Sequence, residues 1–254
     1  MKYYRLAIAG HLLLERLQHL AGAVVPARCA VCGRPLGNAE PLLCLHCRLR
    51  MPRPNLHRLP RTRLSDMLTR LQPATPVAAM FAYSHDSPYS ALVRNAKFGN
   101  SPHTGFLAGR EFGRQLLADG FFDGVDAIVP VPLSALRLVK RGYNQAYQIA
   151  SGMSAATGVP VRCLLKAPAR HAAQVGQNRS RRLASASPTR FAVRHNLAKR
   201  FGDSPGSSLA GKRLVVVDDV VTTGATVVSA VAALRAAFPA LAPVAVAALA
   251  TTEL

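Results

Sequence analysis

The segment Leu214-Val215-Val216-Val217-Asp218-Asp219-Val220-Val221-Thr222-Thr223-Gly224-Ala225-Thr226 constrains this chain more than any other. Four consecutive apolar residues read as a buried strand, with two acids at its carboxyl end. In open α/β sheets that end is where ligands bind. A short Thr-Thr-Gly loop then feeds a helix expected over Ala225 to Phe238. Gly224 allows close backbone approach, and threonine hydroxyls with the first N–H groups of a helix can wrap a phosphate. Adjacent carboxylates suit a ribose diol, which offers two hydroxyl donors. They would repel a bare diphosphate, so a ligand carrying one is expected to bring Mg²⁺.

The rest of the chain fits an alternating pattern. Strands are expected at Val77 to Tyr83, Ala127 to Val131, Val161 to Leu165, Arg213 to Val217 and Val244 to Ala250. Helices are expected at Tyr89 to Phe98, Gly105 to Asp119 and Gln145 to Thr157, the last capped by Asn144 and stopped by Gly158. Such alternation implies a mostly parallel sheet covered by helices. Residues 1 to 25 read as an amphipathic helix; Glu15, Arg16 and Gln18 interrupt its apolar stretch too early for a signal sequence or a membrane span. The expected compartment is the cytoplasm. From Arg48 to about Pro76 the chain reads as an Arg- and Pro-rich connector with one short helix.

Four of the five cysteines form two pairs, Cys29-x-x-Cys32 and Cys44-x-x-Cys47, eleven residues apart. This is the spacing of a closed four-thiolate zinc site rather than of a secreted disulfide framework. His46 lies between ligands, but the cysteines already complete a tetrahedral shell. So small a segment has little core of its own, which makes a metal its natural staple. Cys163 reads as a core thiol in an apolar strand. The expected organisation is an N-terminal helix and double zinc-ribbon-like module over residues 1–60, followed by an α/β domain over 77–254.

At this point a resemblance is plain. The segment around Asp218 is similar to the loop that binds 5-phosphoribosyl-1-diphosphate (PRPP) in type I phosphoribosyltransferases. The resemblance implies that Asp218 and Asp219 hold the ribose hydroxyls. It implies also that Val221, Thr222, Thr223, Gly224, Ala225 and Thr226 cradle the 5-phosphate. Relatives acting on 6-oxopurines carry an aspartate as general base three residues after the second acid. Here that position is Thr222, so hypoxanthine and guanine are unexpected acceptors. By chain order Val129-Pro130-Val131-Pro132-Leu133-Ser134 matches the diphosphate loop, with Arg137, Lys140 and Arg141 close in sequence; a proline-bounded connection with solvated basic residues fits the same stretch.

Taken together, the modules resemble the ComF family of competence-associated proteins along nearly the whole chain. The matching pieces are the cysteine pairs, Lys97-Phe98-Gly99, Val-Pro-Val-Pro, Arg141-Gly142-Tyr143-Asn144-Gln145, Gln174-Val175-Gly176 and the loop after Asp219. The resemblance implies a type I phosphoribosyltransferase-like fold, structural Zn²⁺, and PRPP with Mg²⁺. It implies also a part in handling single-stranded DNA during natural transformation, with a competence helicase as a candidate protein partner. Lys97, Val131, Pro132, Arg141 and Gln174 are the expected diphosphate and flexible-loop contacts. No catalytic residue is assigned.

Charge bears on the same question. Lys and Arg exceed Asp and Glu by twenty, a surplus that favours polyanionic partners. From Lys166 to Arg200 nine basic residues occur and no acid, Arg179, Arg181 and Arg182 among them. This stretch is the first candidate groove for nucleic acid, and Arg48 to Arg70 is the second. Tyr143, Tyr147, Phe98 and Phe81 are candidate stacking platforms. Two functions fit: a DNA-handling protein in which PRPP binds or regulates, and a working phosphoribosyltransferase with an unidentified acceptor.

Overall fold

The computed structural model describes residues 27–73, 75–98, 102–167, 191–194 and 209–253, with only the backbone of Lys97 and Phe98. Its centre is a parallel sheet of β1 (Val77–Ala82), β2 (Ala127–Pro130), β5 (Leu214–Val221) and β6 (Ala245–Thr251) in the order β1-β6-β5-β2. A single parallel bridge, Ile128 to Val161, extends it beyond β2. A short antiparallel pair, β3 (Leu165–Lys166) and β4 (Ala192–Val193), lies apart.

Both faces of the sheet are covered, which is why its strands read as continuous apolar runs. Val215, Val217, Ile128 and Ala247 face one core; Leu214, Val216, Val129 and Val246 face the other. Against the first face pack α4 (Pro102–Ala118) and α6 (Gln145–Thr157). Against the second packs α7 (Ala225–Ala237), together with Leu64 and Leu68 of α2 (Arg63–Leu68) and Leu56 of a 3₁₀ turn, Leu56–Arg58. Two further helices are α3 (Ser90–Phe98) and α5 (Ala135–Arg141), and α1 (Leu45–Leu49) belongs to the cysteine segment.

The cysteine segment is not a bead on a string. Cys29, Leu42, Leu43, Cys44, Cys47 and Met51 share one apolar cluster with Phe81, Tyr89 and Phe112. The Tyr89 hydroxyl donates to the Cys47 carbonyl oxygen at 2.7 Å. Arg48 lies 3.8 Å from Glu111 on α4.

Most expected elements are present, and three differ. The strand expected over Val161 to Leu165 is reduced to the Val161 bridge: Ile128 N–H bonds Pro160 and Arg162 N–H bonds Ile128, but Leu164 N–H then turns back to Arg162. Cys163 consequently sits half-buried outside the sheet, its thiol pushed up by burial. β5 runs four residues past Val217 because β6 pairs with it as far as Val221 opposite Thr251. Both acids therefore lie within the strand. Third, α5 is a helix that the apolar pattern conceals, since none of its residues is buried. The helix expected over residues 1 to 25 lies outside the described residues. Among those described, no helix is long and apolar enough to cross a membrane.

Candidate functional site

The connections leaving β2 and β5 go to opposite sides of the sheet. From β2 the chain passes through α6 to the Val161 edge; from β5 it passes through α7 to β6. This divergence is a topological switch point, and it opens a crevice at the strands' carboxyl ends. A cavity of about 440 Å³ occupies it, walled by Val131 to Ser134, Leu136, Arg137, Arg141, Asn144, Gln145, Asp218, Asp219 and Thr226. Ala146, Ala167, Phe191 and Val220 complete the described lining.

A smaller hollow of about 30 Å³ adjoins it, formed by Asp218, Val220 to Thr226 and Val227. Gly224 caps α7 in the left-handed region (φ 74°), a conformation that glycine adopts without cost. Ala225 and Thr226 follow as the first helical residues, so unpaired N–H groups at the helix start lie beside the threonine hydroxyls. Thr222 and Thr223 are exposed at the tip of the loop. The arrangement suits a phosphate in size and in polarity.

The opposite wall is held by side chains. Val131 N–H donates to the Val217 carbonyl oxygen at 2.9 Å, tying the loop after β2 to β5. Asn144 Nδ2 donates to the Val131 carbonyl oxygen at 3.0 Å, while its Oδ1 accepts from the Tyr147 N–H and caps α6. Gln145 is 1% exposed, and its Oε1 accepts from Arg141 at 3.0 Å. Tyr143 donates its hydroxyl to the Ala96 carbonyl oxygen at 2.7 Å. Arg137 and Arg141 bring positive charge to the cleft from α5, opposite the two carboxylates of β5.

Asp218, Asp219, Thr226, Val131, Pro132 and Arg141 thus meet around one cleft, and Val221 to Ala225 border its annex. Lys97 lies near the end of α3, with its side chain outside the described residues, as are Gln174, Arg179, Arg181 and Arg182. Gln145, Leu136 and Phe191 are lining residues that the sequence reading did not single out. The Arg-Gly-Tyr-Asn-Gln segment was the signal for the first. Nothing local marks the other two. Phe81 is fully buried in the core and presents no stacking face. Tyr143 and Tyr147 are half-buried, and the hydroxyl of Tyr143 is already engaged.

Across the sheet from α7, the sulfur atoms of Cys29, Cys32, Cys44 and Cys47 all lie within 4.8 Å of one another. At a Zn–S distance of about 2.3 Å, tetrahedral geometry sets adjacent sulfurs about 3.8 Å apart. The Cys32–Cys44 separation of 3.6 Å matches. Cys44 N–H donates to Cys29 Sγ at 3.4 Å. Burial pushes the Cys29 thiol up, but N–H groups of Cys32, Cys44 and Val31 outweigh it and bring it down to about 7. Burial and the neighbouring thiols push Cys47 upward. Four sulfurs this close form a donor set that can hold a metal ion. His46 is exposed and stands outside the set.

No curated protein matches the chain significantly. The family model described as the phosphoribosyl transferase domain matches residues 106–252, which take in most of α4, β2, the cleft, its annex and β6. With more than half of its length matched and its parallel sheet opening at the expected switch point, the chain belongs to the phosphoribosyltransferase domain family.

Proposed function

We propose that the cleft binds PRPP, with Asp218 and Asp219 accepting from the ribose hydroxyls, Val221 to Thr226 cradling the 5-phosphate, and Val131, Pro132 and Arg141 meeting the diphosphate. The supporting observation is that a carboxylate pair, a helix-start phosphate hollow and two arginines converge on one cavity of about 440 Å³. Two carboxylates facing a diphosphate call for a counter-ion, and Mg²⁺ would supply the charge neutralisation that lets the diphosphate sit or leave there. Lys97 and Gln174 belong to the same proposal through the family resemblance. The four cysteines are proposed to hold structural Zn²⁺, in an N-terminal helix and double zinc-ribbon-like module over residues 1–60 that precedes a phosphoribosyltransferase-like domain over 77–254.

The wider reading is a ComF-like, cytoplasmic DNA-handling protein, in which PRPP binds or regulates and Arg179, Arg181 and Arg182 contact single-stranded DNA. Its support is the order of the two modules and the net charge of +20. One feature of the cleft favours this over ordinary base salvage. Among the described lining residues the only side chains able to take up a proton are the two aspartates, which the ribose would occupy. The alternative is transfer of phosphoribosyl to an acceptor that needs no deprotonation by these residues.

Fluorescence anisotropy with labelled single-stranded and duplex DNA, with and without Mg²⁺-PRPP, separates the readings. Salt-steep binding that prefers single strands supports DNA handling. Weak binding without strand preference, together with diphosphate release on adding a nitrogenous acceptor, would favour the transferase.

A further inference from the structure

The outer side of the phosphate loop is buttressed by α2, a helix that follows the cysteine segment in the chain and lies far from the loop in sequence. A Cβ placed on Gly224 would lie 2.7 Å from Leu64 Cδ1 and 3.4 Å from Met67 Sδ, so the helix abuts the loop with no room between them. Leu64 and Leu68 pack α2 into the core, and Glu253 ties down its first turn. Its carboxylate accepts from the Arg63 N–H and, at 3.3 Å, from the Leu64 N–H, two of the donors that a helix start leaves unpaired. The preceding residue grips the loop itself: Thr252 N–H donates to the Val221 carbonyl oxygen at 3.1 Å, and the Thr252 hydroxyl reaches the Thr222 carbonyl oxygen at 3.4 Å.

We infer that Glu253 is a positioning residue for the phosphate loop: it ties down the first turn of α2, that turn fixes Gly224 and its neighbours, and the loop is thereby pre-shaped for an incoming phosphate. The helix side of the latch is closed on itself by a reciprocal cap, Thr62 Oγ1 accepting from Ser65 N–H at 3.0 Å and Ser65 Oγ from Thr62 N–H at 2.8 Å. α2 therefore stays helical without Glu253, with Leu64 and Leu68 still buried, and removing the carboxylate loosens its first turn beside the loop rather than unfolding it. A preformed loop is not paid for in ordering when ligand binds, so the latch acts on affinity.

The inference rests on the PRPP reading in its binding arm and is independent of it in its exchange arm. Hydrogen exchange followed by mass spectrometry on the full chain, without ligand, should follow the amides bonded to the loop, Thr252 on the Val221 carbonyl and Val228 on the Gly224 carbonyl. It should show them exchanging at least about tenfold faster in Glu253→Ala than in the parent, with Glu253→Gln intermediate. Calorimetric titration with Mg²⁺-PRPP should show a Kd raised about 5- to 20-fold in Glu253→Ala, and Met67→Ala, which loosens the far end of the same contact, should add little on top of it. Unchanged exchange at these amides would overturn the latch whatever the ligand does. Full additivity of the two substitutions would show that they do not act through one helix. A parent protein that fails to bind PRPP while the exchange difference stands would sink the ligand assignment and leave the latch.

Discussion

Asn144 bridges the two halves of the cleft wall, donating from Nδ2 to the Val131 carbonyl oxygen at 3.0 Å and accepting at Oδ1 from the Tyr147 N–H in the first turn of α6. One side chain thus starts a helix and shapes the loop expected to meet diphosphate. The two roles can be parted. Asn144→Ala removes the cap, costing about 1 kcal/mol, and with it the strap on Val131. Asn144→Ser keeps a capping oxygen but is too short to reach Val131. Differential scanning fluorimetry should show Tm lowered by about 2–4 °C in the alanine variant and by less in the serine variant. Both should bind PRPP several-fold more weakly. Equal binding by all three proteins would mean that the strap has no bearing on the ligand.

The pairing of α4 with α6 depends on glycine. A Cβ on Gly152 would sit 1.9 Å from the Phe106 carbonyl oxygen, and one on Gly109 would sit 2.1 Å from that of Ile149. Neither obstacle is a flexible side chain, so the helices must separate. Gly152→Ala or Gly109→Ala should each destabilise by about 3 kcal/mol or more, at the upper end of overpacking costs. Gly105→Ala, whose Cβ would come no closer than 3.2 Å to any atom, the nearest being Gln148 Cβ, should cost clearly less. Urea denaturation of the three variants orders them, and a Gly105 variant as damaged as the others would contradict the geometry.

Metal removal should reach beyond the cysteine segment, because Cys29, Cys44 and Cys47 share an apolar cluster with Phe81, Tyr89 and Phe112. Elemental analysis of protein purified without added metal should find about one zinc per chain. Cys44→Ser should lose it and lower the Tm of the whole protein in one transition. A separate, early transition with the remainder unmoved would indicate that the two parts unfold independently.

Much of this was legible beforehand, and the misses have physical causes. The cap at Asn144 and the stop at Gly158 were readable because each is a local requirement, met by one side chain and by one left-handed φ of 76°. The cysteine pairs and the loop after Asp219 were readable because few other chemistries need those residues at that spacing. The length of β5 was not, since two acids interrupt its apolar run and only pairing with β6 carries it to Val221. Burial periodicity could not reveal α5, whose Val139 is 84% exposed. The contact of Leu64 with Gly224 joins residues far apart in the chain, and no local pattern encodes it.

The central claim is that Asp218 and Asp219 stand where a PRPP ribose binds, and isothermal titration calorimetry with Mg²⁺-PRPP tests it most directly. Each carboxylate–hydroxyl bond contributes about 1.5–3 kcal/mol, so Asp218→Asn with Asp219→Asn should weaken binding by about two orders of magnitude or abolish it. The folded state should persist, since both side chains are only half-buried at the end of β5. Saturable binding by the parent and none by a folded double variant is the result expected. Equal binding by both proteins, or no binding by the parent with Mg²⁺ present, would contradict the account.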